Sequence, residues 1–509
     1  MEVDFLKGTR FVQLANQQII MLQEDFDAIE WASQEWIEQL QRYVSTHRTN
    51  QLPRLQELKR YYLGDNNINY RPAKTDEYAA DNRISSDFAK YITTFEQGYM
   101  LGQPVEYENA DEELLAKIKE FNDQNNEEYH NVLIKKDLSI YGRAYELIMP
   151  YRQDDTSQVV VKLYKFDPEK TFVIYDDGYD KQSLMAVNYY SVDYGMGHKK
   201  SIIKVYTADA IYTYVDDNQQ AAGMTLTNEE SHYLQGVPVN EYSNNEDRTG
   251  AFEAVLDNID AYDLSQSELA NFQQNSNDAL LVIIGNPHTG SEEDFDEDGN
   301  LNPNGALAVT KSFKEAQIVL LDDNPNPDGA QPNAFYLVKE YDSTGAEAYK
   351  KRLVADILRF TFTPDTSDDN FAGTQSGVAM RYKLMGSENY RGMSEKLFRK
   401  GLMRRLRLAV NVWAIRGSEA TNYDAINQTN IVFTPNLPAN DNELIEQIKA
   451  LYGIISDETL FSLLSSFTGV DAAEELKRLK AQEPEEELQP RIVGEKDDRE
   501  SQSFGCCRT

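Results

Sequence analysis

Apolar residues recur at helical spacing over residues 20–45, which predicts a helix there. A second helix is expected over Leu55–Leu63, ending at Gly64, and a third near Tyr78–Met100, closed by Gly102 and Pro104. Helices near Asp111–Asn122 and Tyr129–Tyr141 follow. Then the period shortens. Arg143–Pro150, Gln158–Phe166, Thr171–Tyr175, Ser183–Val192, Ile202–Tyr206 and Ala210–Val215 are rich in Val, Ile and Tyr and predict strands. Helices first and a mostly antiparallel sheet after make this half an α+β arrangement.

The helical period returns over Gly250–Asn275. Phe252, Val255, Ile259, Tyr262 and Leu269 form an apolar stripe, and Glu253, Asp257, Asp260 and Glu268 cluster on another face. Strand candidates at 279–285 and 316–323 are separated by polar turns, and a helix is expected over Thr344–Phe360. The polar segment Thr363–Ser376 leads into a periodic stretch from Gly377 to about Arg416. Gly386, Gly392 and Gly401 within it predict bends or a break. A short strand (Asn430–Thr434) precedes three small helices, Asp441–Tyr452, Asp457–Ser465 and Asp471–Gln482. Residues 483–509 are charged, lack periodicity and read as a disordered tail.

Charge narrows the function classes. The net charge of −35 over 509 residues leaves no room for a broad basic surface, so the chain should bind duplex DNA poorly and repel it at low salt. Cys506 and Cys507 have no other cysteine to pair with, which fits a reducing compartment and no disulfide framework. The N-terminus lacks a basic segment followed by an apolar one, and the longest apolar run, about Ala279–Ile284, is far short of the ~20 residues that span a bilayer. A soluble chain made in a cytoplasm, with no membrane partner, is expected.

Candidate chemistry is sparse. Asp294, Asp296 and Asp298, followed by Gly299 and Asn300, resemble the start of a calcium loop, but the twelfth position is Gly305 instead of a glutamate. A solvated acidic turn is the other reading, and the favoured one. Gly195-Met-Gly-His-Lys-Lys200 lacks both phosphate-loop patterns and reads as a loop between strands. The five histidines have no metal-ligand spacing, and no catalytic motif stands out, so no catalytic residue, metal or cofactor is expected. Two basic knots, Lys350-Lys351-Arg352 and Arg404-Arg405 with Arg407, either face DNA or pair with acidic groups; pairing is favoured.

Three segments together resemble a known family. Tyr61-Tyr-Leu-Gly-Asp65, Ala80–Tyr91 (ADNRISSDFAKY) and Gly98–Val105 (GYMLGQPV) resemble the N-terminal signature of portal proteins from long-tailed phages of Gram-positive bacteria. Phe371–Leu384 (FAGTQSGVAMRYKL) resembles that family's tunnel loop and the start of its long wing helix. Asn440–Leu479 has the spacing of its helical crown. The resemblance implies a portal fold: wing at 1–249, completed by 377–435; stem helices at 250–277 and 341–362; a small α/β clip at 278–340; a tunnel loop at 363–376; a long kinked wing helix at 377–417; and a crown at 436–482. It implies a ring, commonly of twelve copies, at one capsid vertex. Double-stranded DNA would be packaged and ejected through it, with terminase, head-completion and tail adaptor proteins, and major capsid and scaffolding proteins as partners. Within that frame Asp365, Thr366, Ser367, Asp368, Asp369 and Asn370 are expected to line the channel. Asp257 and Asp260 are expected to meet Lys350, Lys351 and Arg352 of a neighbouring subunit, and Asp294, Asp296 and Asp298 to lie on the motor-docking clip. The competing readings are a head or tail adaptor of similar acidity and a metal-dependent nuclease or other capsid-associated enzyme.

Overall fold

The computed structural model describes residues 10–11, 13–74, 80–152, 159–217, 223–276, 280–284, 291, 293–296, 298–316, 333–337, 342–365, 377–417 and 423–436, with short stretches between 449 and 479. Helix and sheet are mixed throughout. The first elements are strand β1 (Ile19–Ile20) and helices α1 (Gln23–Asp27), α2 (Gln34–Thr46), α3 (Leu52–Tyr62) and α4 (Phe88–Leu101). Strand β2 (Glu106–Glu108) and helices α5 (Glu112–Asn125) and α6 (Glu127–Tyr141) follow.

The single helix expected over 20–45 is divided. Ile19 and Ile20 pair in parallel with Ile174 and Tyr175, which holds that stretch extended. The helix then restarts at Ser33, whose hydroxyl accepts from the Trp36 amide at 3.2 Å. Trp36, Ile37, Leu40 and Val44 of α2 are buried against Phe172, Val187, Val205 and Tyr214 of the sheet described below. The helix expected from Tyr78 begins ten residues later, at Phe88. Residues before it run extended along a later helix, which supplies their hydrogen-bond partners: the Asn82 amide donates to Asn271 Oδ1 at 2.6 Å and the Ile84 amide to Ser267 Oγ at 3.0 Å.

Strands β3 (Arg143–Tyr151), β4 (Val160–Phe166), β5 (Thr171–Tyr175), β6 (Ser183–Asp193), β7 (Lys199–Tyr206), β8 (Ala210–Asp217), β9 (Met224–Ser231) and β10 (Val239–Ser243) form two sheets, β1-β5-β6-β7-β8-β9 and β10-β3-β4. Every pairing in them except β1–β5 is antiparallel. Of the 195–200 loop, residues 195–198 belong to the β6–β7 hairpin turn, while Lys199 and Lys200 already lie in β7, opposite Asp193 and Val192. Strands β9 and β10 were not anticipated. β9 is an edge strand, mostly exposed, with Met224 and Leu226 its main apolar residues. It draws its order from β8 and not from its own alternation.

The remaining elements are α7 (Leu256–Ser276), β11 (Leu280–Ile284), α8 (Ala306–Ala316), β12 (Asn333–Leu337), α9 (Ser343–Phe360), α10 (Gly377–Gly417), α11 (Tyr423–Asn427) and β13 (Asn430–Val432). The strand expected at 316–323 is corrected at its first residue, because Ala316 ends helix α8; residues 317–323 lie outside the described residues. β11 pairs instead with β12, Leu280 opposite Leu337. α7 packs against α9. Phe252, Val255, Leu256 and Ile259 are buried with Leu55, Leu58, Tyr61, Ile92 and Ile357. Of the bends or break expected in the long stretch, no break occurs: α10 runs as one helix of 41 residues. Gly401 serves a close approach, since a Cβ there would lie 2.2 Å from Cε1 of Tyr242.

The chain divides into two compact units, one of residues 1–375 and 380–437 and a second of 376–379 and 438–509. Among the described residues of the second, helical turns occur at 449–451, 459–461 and 475–479, and Leu460 is buried.

Candidate functional site

The acidic face of α7 is answered within its own chain. Arg10 donates from Nε to Glu57 at 2.8 Å, from Nη1 to Asp257 at 3.0 Å, and from Nη2 to both Tyr61 and Asp260. Asp260 also accepts from Asn67 Nδ2 at 3.0 Å. Glu268 pairs with Arg71 at 2.6 Å, and Glu253 with Arg54. Lys350 is buried, with Nζ 3.0 Å from Gln266 Oε1 and paired to Glu347. So Asp257, Asp260 and Lys350, expected to meet across subunits, already have partners inside the chain. Lys351 and Arg352 point to solvent, and no ion pair holds them among the described residues.

The second half of α7 buries a polar stripe, Asp263, Ser267 and Asn271, spaced four residues apart. Asp263 accepts from Asn66 Nδ2 at 2.6 Å. Burial pushes its carboxyl up to about 6, with the Asn66 and Ser86 hydrogen bonds opposing. The apolar periodicity of α7 hides this stripe; the three polar residues at a strict spacing of four were its signal.

At the far end of α9, Thr361 Oγ1 donates to the Ile357 carbonyl at 2.9 Å, and the Thr363 amide closes the helix end on the Leu358 carbonyl at 2.9 Å. Phe362 adopts a positive φ of 54°. Its ring stacks on Tyr390 at 5.5 Å, and its carbonyl accepts from Ser387. Tyr91 donates to the Pro364 carbonyl at 3.2 Å. The start of the polar segment is thus fastened to α10 and α4. Asp365 is half-buried; Thr366, Ser367, Asp368, Asp369 and Asn370 lie outside the described residues. Beneath Phe362 is a cavity of about 20 Å³ lined by Glu96, Tyr99, Lys135, Tyr390 and Ser394, room for a single water. Lys135 spends its three donors there, on Glu96 at 3.0 Å, Asn244 at 3.1 Å and Ser394 at 3.2 Å.

The loop at 293–305 is knitted by its own amides. Asp296 Oδ1 accepts from the amides of Asp298 (3.1 Å) and Asn300 (2.8 Å), and Asp294 Oδ1 accepts from the Leu307 amide at 2.8 Å in the first turn of α8. These carboxylates work as turn and cap acceptors. Among the described residues no group of three or more His, Cys, Asp or Glu side chains is placed to hold a metal ion. No helix among them is long and apolar enough to cross a membrane.

Of the second basic knot, Arg405 is absorbed into the core, Arg404 is partly buried and Arg407 is exposed. Arg405 is 1% exposed and reaches Glu146 at 2.7 Å, Glu127 at 3.3 Å and Asn131 at 2.9 Å. Burial pushes the Glu146 carboxyl up, but Arg405 and His130 outweigh it and hold it down at about 2. Tyr242 donates to Glu146 at 2.9 Å, and His130 Nε2 lies 2.8 Å from it. Arg404 donates to Ser183 at 2.9 Å, and Arg407 to Asn427 at 2.9 Å. The sequence signal for Arg405 is its place on the buried stripe between Leu402 and Ala409.

The family described as "Phage portal protein, SPP1 Gp6-like" matches residues 41–488. The portal protein of Bacillus phage SPP1 is 23% identical over 446 residues, covering 82% of this chain and 81% of that protein. The portal protein of Clostridium phage phiCD119 is 22% identical over 426 residues, covering 79% and 85%. Among solved structures, a chain from the virion of a native gene transfer agent particle is similar over 82% of this chain and 93% of its own, at 12% identity and a TM-score of 0.39. A chain from the neck of an empty gene transfer agent particle gives 13% and 0.38, over 81% and 93%. With the match running from α2 to beyond the helical turns of the second unit, the chain belongs to the phage portal protein family of the SPP1 Gp6-like type.

Proposed function

We propose that this chain is one subunit of a closed ring, of about twelve copies, set at one vertex of a phage capsid, through which double-stranded DNA is packaged and later ejected. The observation that carries the reading is the family match over residues 41–488. The paired α7 and α9 serve as a stem, the β11–β12 pair with α8 as a clip that docks terminase and then tail adaptors, and residues 363–376 as a loop facing the channel. Residues 1–249 with 377–435 serve as a wing against the capsid and scaffolding proteins, and 436–482 as a crown.

The charge suits passage over capture. Each phosphate neutralised by Lys or Arg adds affinity, so a cationic tunnel would act as a brake. Residues 363–376 hold Asp365, Asp368 and Asp369 and no Lys or Arg. Repeated around a ring, they keep the phosphate backbone off the wall. With Lys350 engaged inside its own chain, Lys351 and Arg352 are the cations left to meet the exposed edge of a neighbour's Asp257.

Negative-stain microscopy of the purified protein tests this directly. Rings with a central hole are expected. Particles that stay monomeric at every salt and protein concentration overturn the ring, and magnesium-dependent cleavage of DNA by such monomers would favour the nuclease reading.

A further inference from the structure

Asp263, on the buried polar stripe of α7, is 0% exposed, and no cation pairs with it among the described residues. Its Oδ2 accepts from Asn66 Nδ2 at 2.6 Å, and its Oδ1 is buried without a hydrogen-bond partner. Asn66 is as deeply buried. Its Nδ2 also donates to the Ser86 carbonyl at 3.1 Å, and its own Oδ1 is likewise buried without a partner. A carboxyl and an amide thus touch through one oxygen and one nitrogen, and each keeps a bare oxygen on its other arm. Two bare acceptors cannot satisfy each other, and an ionised carboxylate with a bare buried oxygen is costly. One proton on Asp263 Oδ1 removes the charge and supplies the donor that Asn66 Oδ1 lacks.

The cations of the surrounding elements are engaged elsewhere. Arg10 pairs with Glu57, Asp257 and Asp260, Arg71 and Lys74 with Glu268, Arg83 with Asp81, and Lys350 with Glu347. Arg60 turns to Asn67 and the Asp65 carbonyl, and Asp87 ahead of α4 is exposed. The charge acting on Asp263 is the like charge of Asp260. The strap of residues 80–86, part of the ADNRISSDFAKY signature, lies along this stripe: its Asn82 and Ile84 amides donate to Asn271 and Ser267 of α7, and Asn66 reaches its Ser86 carbonyl. We propose that Asp263 and Asn66 form a protonated acid–amide latch, in which Asp263 Oδ1–H donates to Asn66 Oδ1 while Asn66 Nδ2–H donates back to Asp263 Oδ2, and that the neutral pair holds the strap on α7 until the proton is lost to solvent.

Burial raises the Asp263 carboxyl to about 6 from the ordinary 3.8, so the closed strap keeps a proton that the open strap releases. The latch is complete below pH 3.8 and is lost as pH rises through 6. His47 acts with the opposite sign: burial first, then Arg143, Arg248 and Arg48, push it down to about 3.

The test is hydrogen exchange of the purified full chain from pH 5 to 8, read by mass spectrometry and corrected for the intrinsic exchange rate at each pH. Protection of residues 82–86 is expected to fall about tenfold between pH 5 and 7 and then level off. In Asp263→Asn, whose side-chain amide reproduces the neutral acid, protection is expected to be independent of pH, whereas in His47→Gln the fall persists. A flat wild-type profile, or a fall retained in Asp263→Asn, overturns the latch. Should that variant fail to fold, Asn66→Asp decides. Two carboxyls sharing one proton keep it to higher pH, so the fall should extend about one pH unit further up; an unmoved profile overturns the pairing.

Discussion

Arg405 and Arg143 are equally buried, yet they are answered in opposite ways. Arg405 stands between Glu127 and Glu146, with Asn131, Tyr242 and His130 completing the set. Arg143 has one amide oxygen as its hydrogen-bond partner, with Tyr145 and Glu241 favouring its charge and Arg248 and Arg54 opposing it. The difference teaches that burial alone does not set the value of a charge; what its removal strands does. Deleting Arg405 strands two buried carboxylates that pair with it directly, whereas among the described residues no carboxylate is ion-paired to Arg143 and nearby Glu241 keeps Arg248.

The largest test of that contrast is Arg405→Met. It is expected to cost about 3–5 kcal/mol in urea unfolding, or to prevent folding. Gly401→Ala strikes the same network from the other side by driving Cβ into the Tyr242 ring. A loss of about 1–3 kcal/mol is expected. Since Tyr242 donates to Glu146, a double-mutant cycle between Gly401→Ala and Tyr242→Leu should be non-additive.

In the Arg143 region, His47 makes stability depend on pH. Its folded pKa is depressed to about 3 from 6.5, so the unfolded chain takes up the proton first. Stability is then complete above pH 6.5 and falls as pH drops toward 3. About 2 kcal/mol should go between pH 6.5 and 5, and His47→Gln should flatten that slope in unfolding measurements. Arg143→Met should stay within about 1 kcal/mol of the wild type in the same measurements. The smallest effect on the fold belongs to Lys351→Glu with Arg352→Glu. Within about 0.5 kcal/mol of unchanged unfolding is expected, together with weaker rings in native mass spectrometry; intact rings would remove these two cations from the subunit contact.

The helices α3, α5, α6 and α9 were legible because each carries a clear apolar stripe and a stop such as Gly64 or Gly142. β9 and β10 were not, since an edge strand and a five-residue strand borrow their order from partners. Nor was the extended run from Asp81 to Ser86, which depends on Ser267 and Asn271 about 190 positions later. Of the candidate site, the carboxylates Asp257, Asp260, Asp294 and Asp296 were picked out by residue type. Their partners, Arg10 and the backbone amides of residues 298–307, follow only from the folded path of the chain. Of the glycines in α10, Gly401 makes room for the Tyr242 ring, a role its place in the sequence does not reveal.

The pairing of residues 82 and 84 with α7 also sets a timetable. A ribosome adding about 5–20 residues per second needs on the order of 10–40 seconds to travel from Ile84 to Asn271. Throughout that interval the early segment has no α7 to lie on, and Arg10 has no Asp257 or Asp260. The nascent chain is therefore expected to keep its opening residues accessible to protease until α7 emerges, and to lose that sensitivity in one step afterwards.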